Sequence, residues 1–168
     1  MTLSIQPDAK RSVTVRAPAK INLHLGVGRP REDGFHPLDT VFQAVGLYDD
    51  VRATDGDGTV TVEPASYLPA SVLDDLAIPD SNIVTLAAAL HNDLEAPAID
   101  LRPALGDLIA HGEAEGALRG IVSGSGPTVA FLCWSGDHAR SLADSLQGDD
   151  LPVVLVANGP VAGAHVLP

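Results

Sequence analysis

Apolar and polar residues alternate along Val13-Thr-Val-Arg-Ala17 and again, after Pro18, through Ile21, Leu23, Leu25 and Val27, with Asn22, His24 and Gly26 between them. A period of two marks a strand with one face inward, so two strands are predicted with a proline-marked bend between them. Arg29 to Pro37 reads as a charged turn with Asp33-Gly34 at its tip, and a mixed segment follows to Tyr48. A strand pair is predicted on either side of Thr54-Asp-Gly-Asp-Gly58. Asp80-Ser-Asn82 offers N-cap side chains ahead of Ile83, Leu86, Ala87, Leu90 and Leu94, which recur at helical spacing. Pro103 can open a second helix through Leu105, Leu108 and Ile109. A third, from about Asp137 to Leu146, places Ala139, Leu142, Ala143 and Leu146 on one face, with Gly148 past its end. Ile121-Val122 and Val129 to Cys133 are predicted strands joined by Ser123-Gly-Ser-Gly-Pro-Thr128, and Leu151 to Ala157 and His165 to Leu167 complete the set. Strands first, then helices mixed with strands, predict an α+β fold rather than a doubly wound parallel sheet.

Composition narrows the class. With 168 residues, 45% hydrophobic and 19% charged, the chain can bury a core without metal or disulfide staples. A net charge of −12 repels phosphate backbones and anionic headgroups, which argues against nucleic acid and membrane surfaces as partners. A small anionic ligand then needs a local cation or a cluster of backbone N–H groups. The lone Cys133 lies in an apolar run, as expected of a buried thiol in a reducing compartment, with the cytoplasm as the expected location. Met1 to Lys10 carries no signal-type apolar stretch, and no run approaches the ~18 apolar residues of a membrane span.

Three places could carry chemistry. Lys20 is one of only two lysines, and strict alternation would put Lys20, Asn22 and His24 on one strand face at ~7 Å spacing, opposite Ile21, Leu23 and Leu25. That face is either a cation-bearing ligand surface or the solvated side of an edge strand. Phe35-His36 sets an aromatic ring and an imidazole in a polar turn, equipment for stacking on a flat heterocycle and bonding its edge. The plainer alternative is that Phe35 pins the turn to the core. Ser123 to Thr128 combines Gly124 and Gly126 with the hydroxyls of Ser123, Ser125 and Thr128, so its backbone could approach and bind an anion, or simply turn. No stretch fits the Rossmann, Walker A or nucleophile-elbow patterns. His24, His36, His91, His111, His138 and His165 are scattered without metal-ligand spacing, which argues against structural zinc.

Taken in order, Ala17-Pro-Ala-Lys-Ile-Asn-Leu-His-Leu25, Arg31-Glu-Asp-Gly-Phe-His36 and Gly120-Ile-Val-Ser-Gly-Ser-Gly-Pro-Thr128 resemble the first, substrate-binding and last motifs of the 4-diphosphocytidyl-2-C-methyl-D-erythritol kinase family of the GHMP small-molecule kinases. Asp80-Ser-Asn-Ile-Val84 and His91-Asn-Asp-Leu-Glu-Ala-Pro97 resemble two further family segments. The resemblance implies a GHMP-kinase-like scaffold and transfer of the ATP γ-phosphoryl group, with Mg2+, to a hydroxyl of a cytidine diphosphate conjugate in non-mevalonate isoprenoid synthesis. By the same resemblance Lys20 is the active-site cation, Asn22 and His36 contact substrate, Phe35 is placed to stack on cytosine, and Ser123, Gly124, Ser125, Gly126 and Thr128 lie at the phosphates. It divides the chain into an N-terminal half, 1–90, bearing the substrate motifs and a C-terminal half, 91–168, bearing the glycine-rich loop. Between Val84 and His91 the family carries on the order of a hundred further residues, about a domain's worth of chain. Those hold its first glycine-rich ATP loop and the aspartate expected as base, and neither Asp93 nor Asp100 lies in a matching motif. Two alternatives stand beside this reading: a non-catalytic remnant or cytidine-binding module, and a GHMP kinase acting on another alcohol.

Overall fold

Proline lacks the N–H that a sheet ladder needs, yet Pro18 does not end the strand in which it stands. In the computed structural model, which describes residues 11–56, 80–147 and 151–168, β1 runs unbroken from Ser12 to Val27. It pairs antiparallel with β2, Leu38–Thr54. Pro18 faces Tyr48 and Ala19 faces Val45, so Gly46 and Leu47 bulge out of β2 and absorb the irregularity. The two predicted strands are therefore one.

A second register shift falls between Asn22, which faces Phe42, and His24, which faces Val41. Leu23 is thus an extra residue in β1, and the alternation inverts past it. Because residues directly opposite share a face, Lys20 and Asn22 lie with Ala44, Phe42 and Thr40, and Leu25, opposite Thr40, joins them. His24 passes to the other face. The predicted shared face holds for Lys20 and Asn22 and fails for His24 and Leu25.

Two short strands flank β1 on its other edge: β3, His91–Asn92, runs parallel to it at His24 and Leu25, and the last strand, His165–Val166, antiparallel at Val15 and Arg16. β1 is consequently an inner strand at those positions. Helix α1, Asp80–Ala89, turns Ile83 and Ala87 inward, and Leu90 is buried just beyond it. Its apolar period continues in sequence to Leu94, but pairing of His91 and Asn92 with β1 ends the helix first. A helix absent from the sequence reading, α2, Glu95–Leu101, follows, with Pro97 tolerated in its first turn. Helix α3, Ala104–Ala114, starts after Pro103 as predicted.

The chain then forms the hairpin β4, Arg119–Val122, and β5, Val129–Leu132, and helix α4, Gly136–Gln147, which buries Leu142, Ala143 and Leu146. Numbering the terminal strand β6 completes the elements. Ala98, Leu105, Ile109 and Val122 form one core cluster, and Ala117, Leu142 and Leu146 a second, against which Phe131, Cys133, Leu151 and Val154 pack. Hairpin and α3 meet closely, since a Cβ on Gly120 would stand 3.0 Å from the Cγ2 of Ile109 on α3. Leu151 to Ala157 is not a strand. It lays Leu151 and Val154 on the second cluster but finds no ladder partner among the described residues, and an apolar run alone cannot supply one. Met1 to Lys10, the strand expected after Gly58, the cap residues' side chains at 80–82 and Gly148 lie outside the described positions. Among those described, no helix is long and apolar enough to cross a membrane.

Candidate functional site

Asn22 is the polar centre of the sheet, 4% exposed. A buried amide must find partners, and this one has them on both ends: Lys20 Nζ donates to its Oδ1 at 3.2 Å, and its Nδ2 donates to Thr40 Oγ1 at 3.0 Å. Thr40 passes the chain on by donating to the His24 carbonyl at 2.9 Å. The directions orient the Asn22 amide, oxygen toward Lys20. Lys20 itself is exposed, with its ammonium 4.5 Å from the Phe42 ring centre, and no carboxylate pairs with it among the described residues. In a chain of net charge −12, that leaves a cation available to an anionic ligand. The solvated reading fails at Asn22, which is buried, although from Ala17 to Leu23 β1 has a ladder partner on one edge only among the described residues.

The glycine-rich loop reaches this same place. Ser123 N–H donates to Thr128 O at 2.8 Å and Gly126 N–H to Ser123 O at 3.1 Å, closing the loop at the hairpin tip. Gly124 and Gly126 have φ of +62° and +75°, a region that residues with a Cβ occupy at a cost. A Cβ on Gly124 would stand 3.8 Å from Asn22 Oδ1. No described group accepts from the N–H of Gly124 or Ser125. Lys20, Asn22 and Gly124, about a hundred positions apart in sequence, thus converge, with Ser125 and Thr128 exposed beside them.

Phe35 and His36 stand apart. Phe35 is 70% exposed, so it does not pin the turn to the core. The turn is held by its backbone: Arg31 N–H donates to Phe35 O, Gly34 N–H to Arg31 O, and Phe35 N–H to Asp33 Oδ1. His36 Nδ1 donates to Gly28 O at 2.7 Å, an acceptor-only partner, so a neutral ring leaves Nε2 as an acceptor. At the neck of the turn, Gly26 to Gly28, Pro37 to Asp39 and Asp93 line an open depression of about 310 Å³. Among the described residues no hydrogen bond or ring contact joins Phe35 or His36 to Lys20 or Asn22.

Sequence reasoning passed over Thr40, Asn92 and Glu95. Asn92 is 7% exposed, and its Nδ2 donates to the carbonyls of Val122 at 2.7 Å and Gly124 at 2.8 Å. Glu95 Oε2 accepts from Val122 N–H at 2.8 Å. A three-residue polar segment, His91-Asn-Asp93, held between Leu90 and Leu94 and too short to be a solvated loop, is the signal that could have marked it. Asp93 is engaged structurally: its carboxylate accepts from Val27 N–H at 2.7 Å, which chiefly holds it below the usual carboxylate range, with His91 Nε2 assisting at 2.8 Å. Cys133 is free and half-buried, and burial pushes its thiol up, as suits an inert packing residue. No cluster of three His, Cys, Asp or Glu able to hold a metal occurs among the described residues.

Residues 76–150 match the family signature described as GHMP kinases C terminal. A 4-diphosphocytidyl-2-C-methyl-D-erythritol kinase of Nocardioides sp. is 35% identical over 295 aligned positions, which take in 91% of this chain and 99% of the relative. Since 295 positions are aligned to 168 residues, a long stretch of that relative has no counterpart here. Proteins of the same name from Thermobifida fusca and Clavibacter michiganensis are each 48% identical, over 59% and 62% of this chain. The chain spans about a third of the length of these two, 34% and 33%.

Proposed function

The chain belongs to the 4-diphosphocytidyl-2-C-methyl-D-erythritol kinase family, and on that premise we propose that its site serves phosphoryl transfer from ATP to a hydroxyl of a cytidine diphosphate conjugate in non-mevalonate isoprenoid synthesis. In that reaction the substrate hydroxyl oxygen bonds to the γ-phosphorus, the bond from that phosphorus to the β,γ-bridging oxygen breaks, ADP leaves with the electron pair, and the hydroxyl proton passes to solvent. The cation of Lys20 stabilises charge on the transferring group, and the N–H groups of Gly124 and Ser125 with the hydroxyls of Ser123, Ser125 and Thr128 take the phosphates. Asn22 orients Lys20 and contacts substrate. Phe35 stacks on cytosine, and His36 Nε2 accepts from the cytosine amino group. The observation that carries this reading is the convergence of a lysine with no carboxylate partner among the described residues, a buried asparagine and a loop whose Gly124 and Ser125 N–H groups no described group accepts from.

By the resemblance Mg2+ would come bound to the nucleotide phosphates, where it would neutralise their charge. The division of labour we propose follows the two halves, substrate recognition in 1–90 and the phosphate loop in 91–168.

A second reading is ligand binding without turnover. It is favoured by the long stretch of the Nocardioides relative that faces a gap in this chain. By the resemblance that stretch holds the first ATP loop and the base, and phosphoryl transfer depends on positioning around the phosphates. A coupled ADP-release assay on mass-verified protein, run with Lys20→Ala and beside calorimetry with a cytidine diphosphate ligand, separates the two. Turnover lost in Lys20→Ala establishes the kinase. Cytidine binding without turnover establishes the remnant.

A further inference from the structure

The hydrogen bonds of Asn92 reach beyond its own neighbourhood. β3 lies in register with β1, Asn92 opposite Leu25, and Asp93 ties the two further, donating its N–H to Leu25 O at 2.9 Å and accepting from Val27 N–H. The segment is therefore fixed to the strand that carries Lys20 and Asn22. From this anchor Asn92 Nδ2 spans two carbonyls, Val122 at the end of β4 and Gly124 inside the loop. Its own Oδ1 accepts from Leu94 N–H at 2.9 Å, which fixes the amide's orientation and starts α2. Glu95, on the first turn of α2, takes the N–H of the same Val122, so both polar groups of a wholly buried residue are held by this one segment.

One amide hydrogen of Asn92 thus ties the segment fixed to β1 to the loop's own backbone at Gly124, and the other ties it to Val122 at the end of β4. Turning the Gly124 carbonyl inward onto Asn92 points the N–H of the same peptide, that of Ser125, the other way, and no described group accepts from it. An aspartate at position 92 would present a second oxygen to two carbonyl oxygens, replacing two attractions with repulsion.

We propose that Asn92 is a positioning residue that sets the Ser123–Thr128 loop against Lys20 and Asn22, and thereby governs phosphate binding without touching the ligand. The phosphate part of this inference rests on the function proposed above; the positioning part does not. The test is amide hydrogen exchange on the full chain, comparing the wild type with Asn92→Asp and with Asn92→Ser, whose single donor cannot bridge both carbonyls. Exchange at Ser123 and Gly126 should accelerate on the order of tenfold or more relative to the β4–β5 ladder amides. Equal acceleration of loop and ladder, or none, overturns the proposal. If Asn92→Asp does not fold, Asn92→Ser gives the same comparison. Calorimetry then adds the ligand: ATP binding should weaken on the order of tenfold in a folded variant while CDP binding, read through the Phe35–His36 turn, stays within about twofold. Parallel loss of both ligands marks a merely structural role and counts against positioning. A wild type that binds no ATP defeats the loop's phosphate function and leaves the exchange result to decide positioning alone.

Discussion

The lysine-and-loop cluster and the Phe35–His36 turn are built in opposite ways. Around Lys20 the structure over-determines each group: Asn22 is fixed at both ends, Thr40 donates onward, and Asn92 grips the loop from beneath. The turn is shaped only by its own backbone, Asp33 and one imidazole bond, and it holds its aromatic ring out to solvent. A group that must meet charge gains from preorganisation, because reorienting dipoles during reaction costs energy. A stacking ring gains from access, because any flat base can approach it. Substitutions in the first region should therefore cost stability and those in the second should cost only recognition.

The largest effect is expected from Asn22→Leu. Removing a buried amide that serves Lys20 and Thr40 should lower unfolding free energy by about 1–3 kcal/mol, read by urea denaturation. A loss within experimental error would mean that the amide is not integrated as its burial implies. Next comes Gly124→Ala, which forces a Cβ into φ +62° and should cost roughly 1–2 kcal/mol while weakening ATP binding more than CDP binding. Unchanged ATP affinity would separate the loop from the phosphates.

Phe35→Ala should move stability by less than about 0.5 kcal/mol, since the ring is exposed. Its CDP affinity should nonetheless drop by the ~1–3 kcal/mol typical of a lost base stack. A large stability loss with intact CDP binding would invert the comparison.

The smallest effect concerns acid. Asp93 has its carboxylate held below the usual range by Val27 N–H first and His91 second. A folded-state value below the unfolded one contributes stability that is complete above the unfolded carboxylate range and is lost as pH falls through the folded value. Asp93→Asn should accordingly flatten the acid limb of a melting-temperature profile and leave its neutral limb nearly level. Asp50, held down by its hydrogen bonds from Arg16, predicts the same direction for Asp50→Asn on β2, opposite Arg16. An undiminished acid slope in both variants would assign acid unfolding to other groups.

Local chemistry was legible wherever one segment contains the whole signal. Alternation marked β1, the Ala139–Leu146 face marked α4, and Pro103 marked the start of α3, because period and backbone restriction are written residue by residue. The kinase family could be read from motif order for the same reason. What the sequence could not specify were relations between segments. The extra residue at Leu23 turns His24 from the face of Asn22, and only the pairing with β2 reveals it. Leu151 to Ala157 is apolar like a strand but has no strand to pair with among the described residues, and Leu94 continues a helical period that β1 interrupts by claiming His91 and Asn92. Asn22 reads as polar and exposed until β2 and the glycine-rich loop come against it. Its chemistry, and that of Asn92, follows from burial, and burial is a property of neighbours brought from elsewhere in the chain.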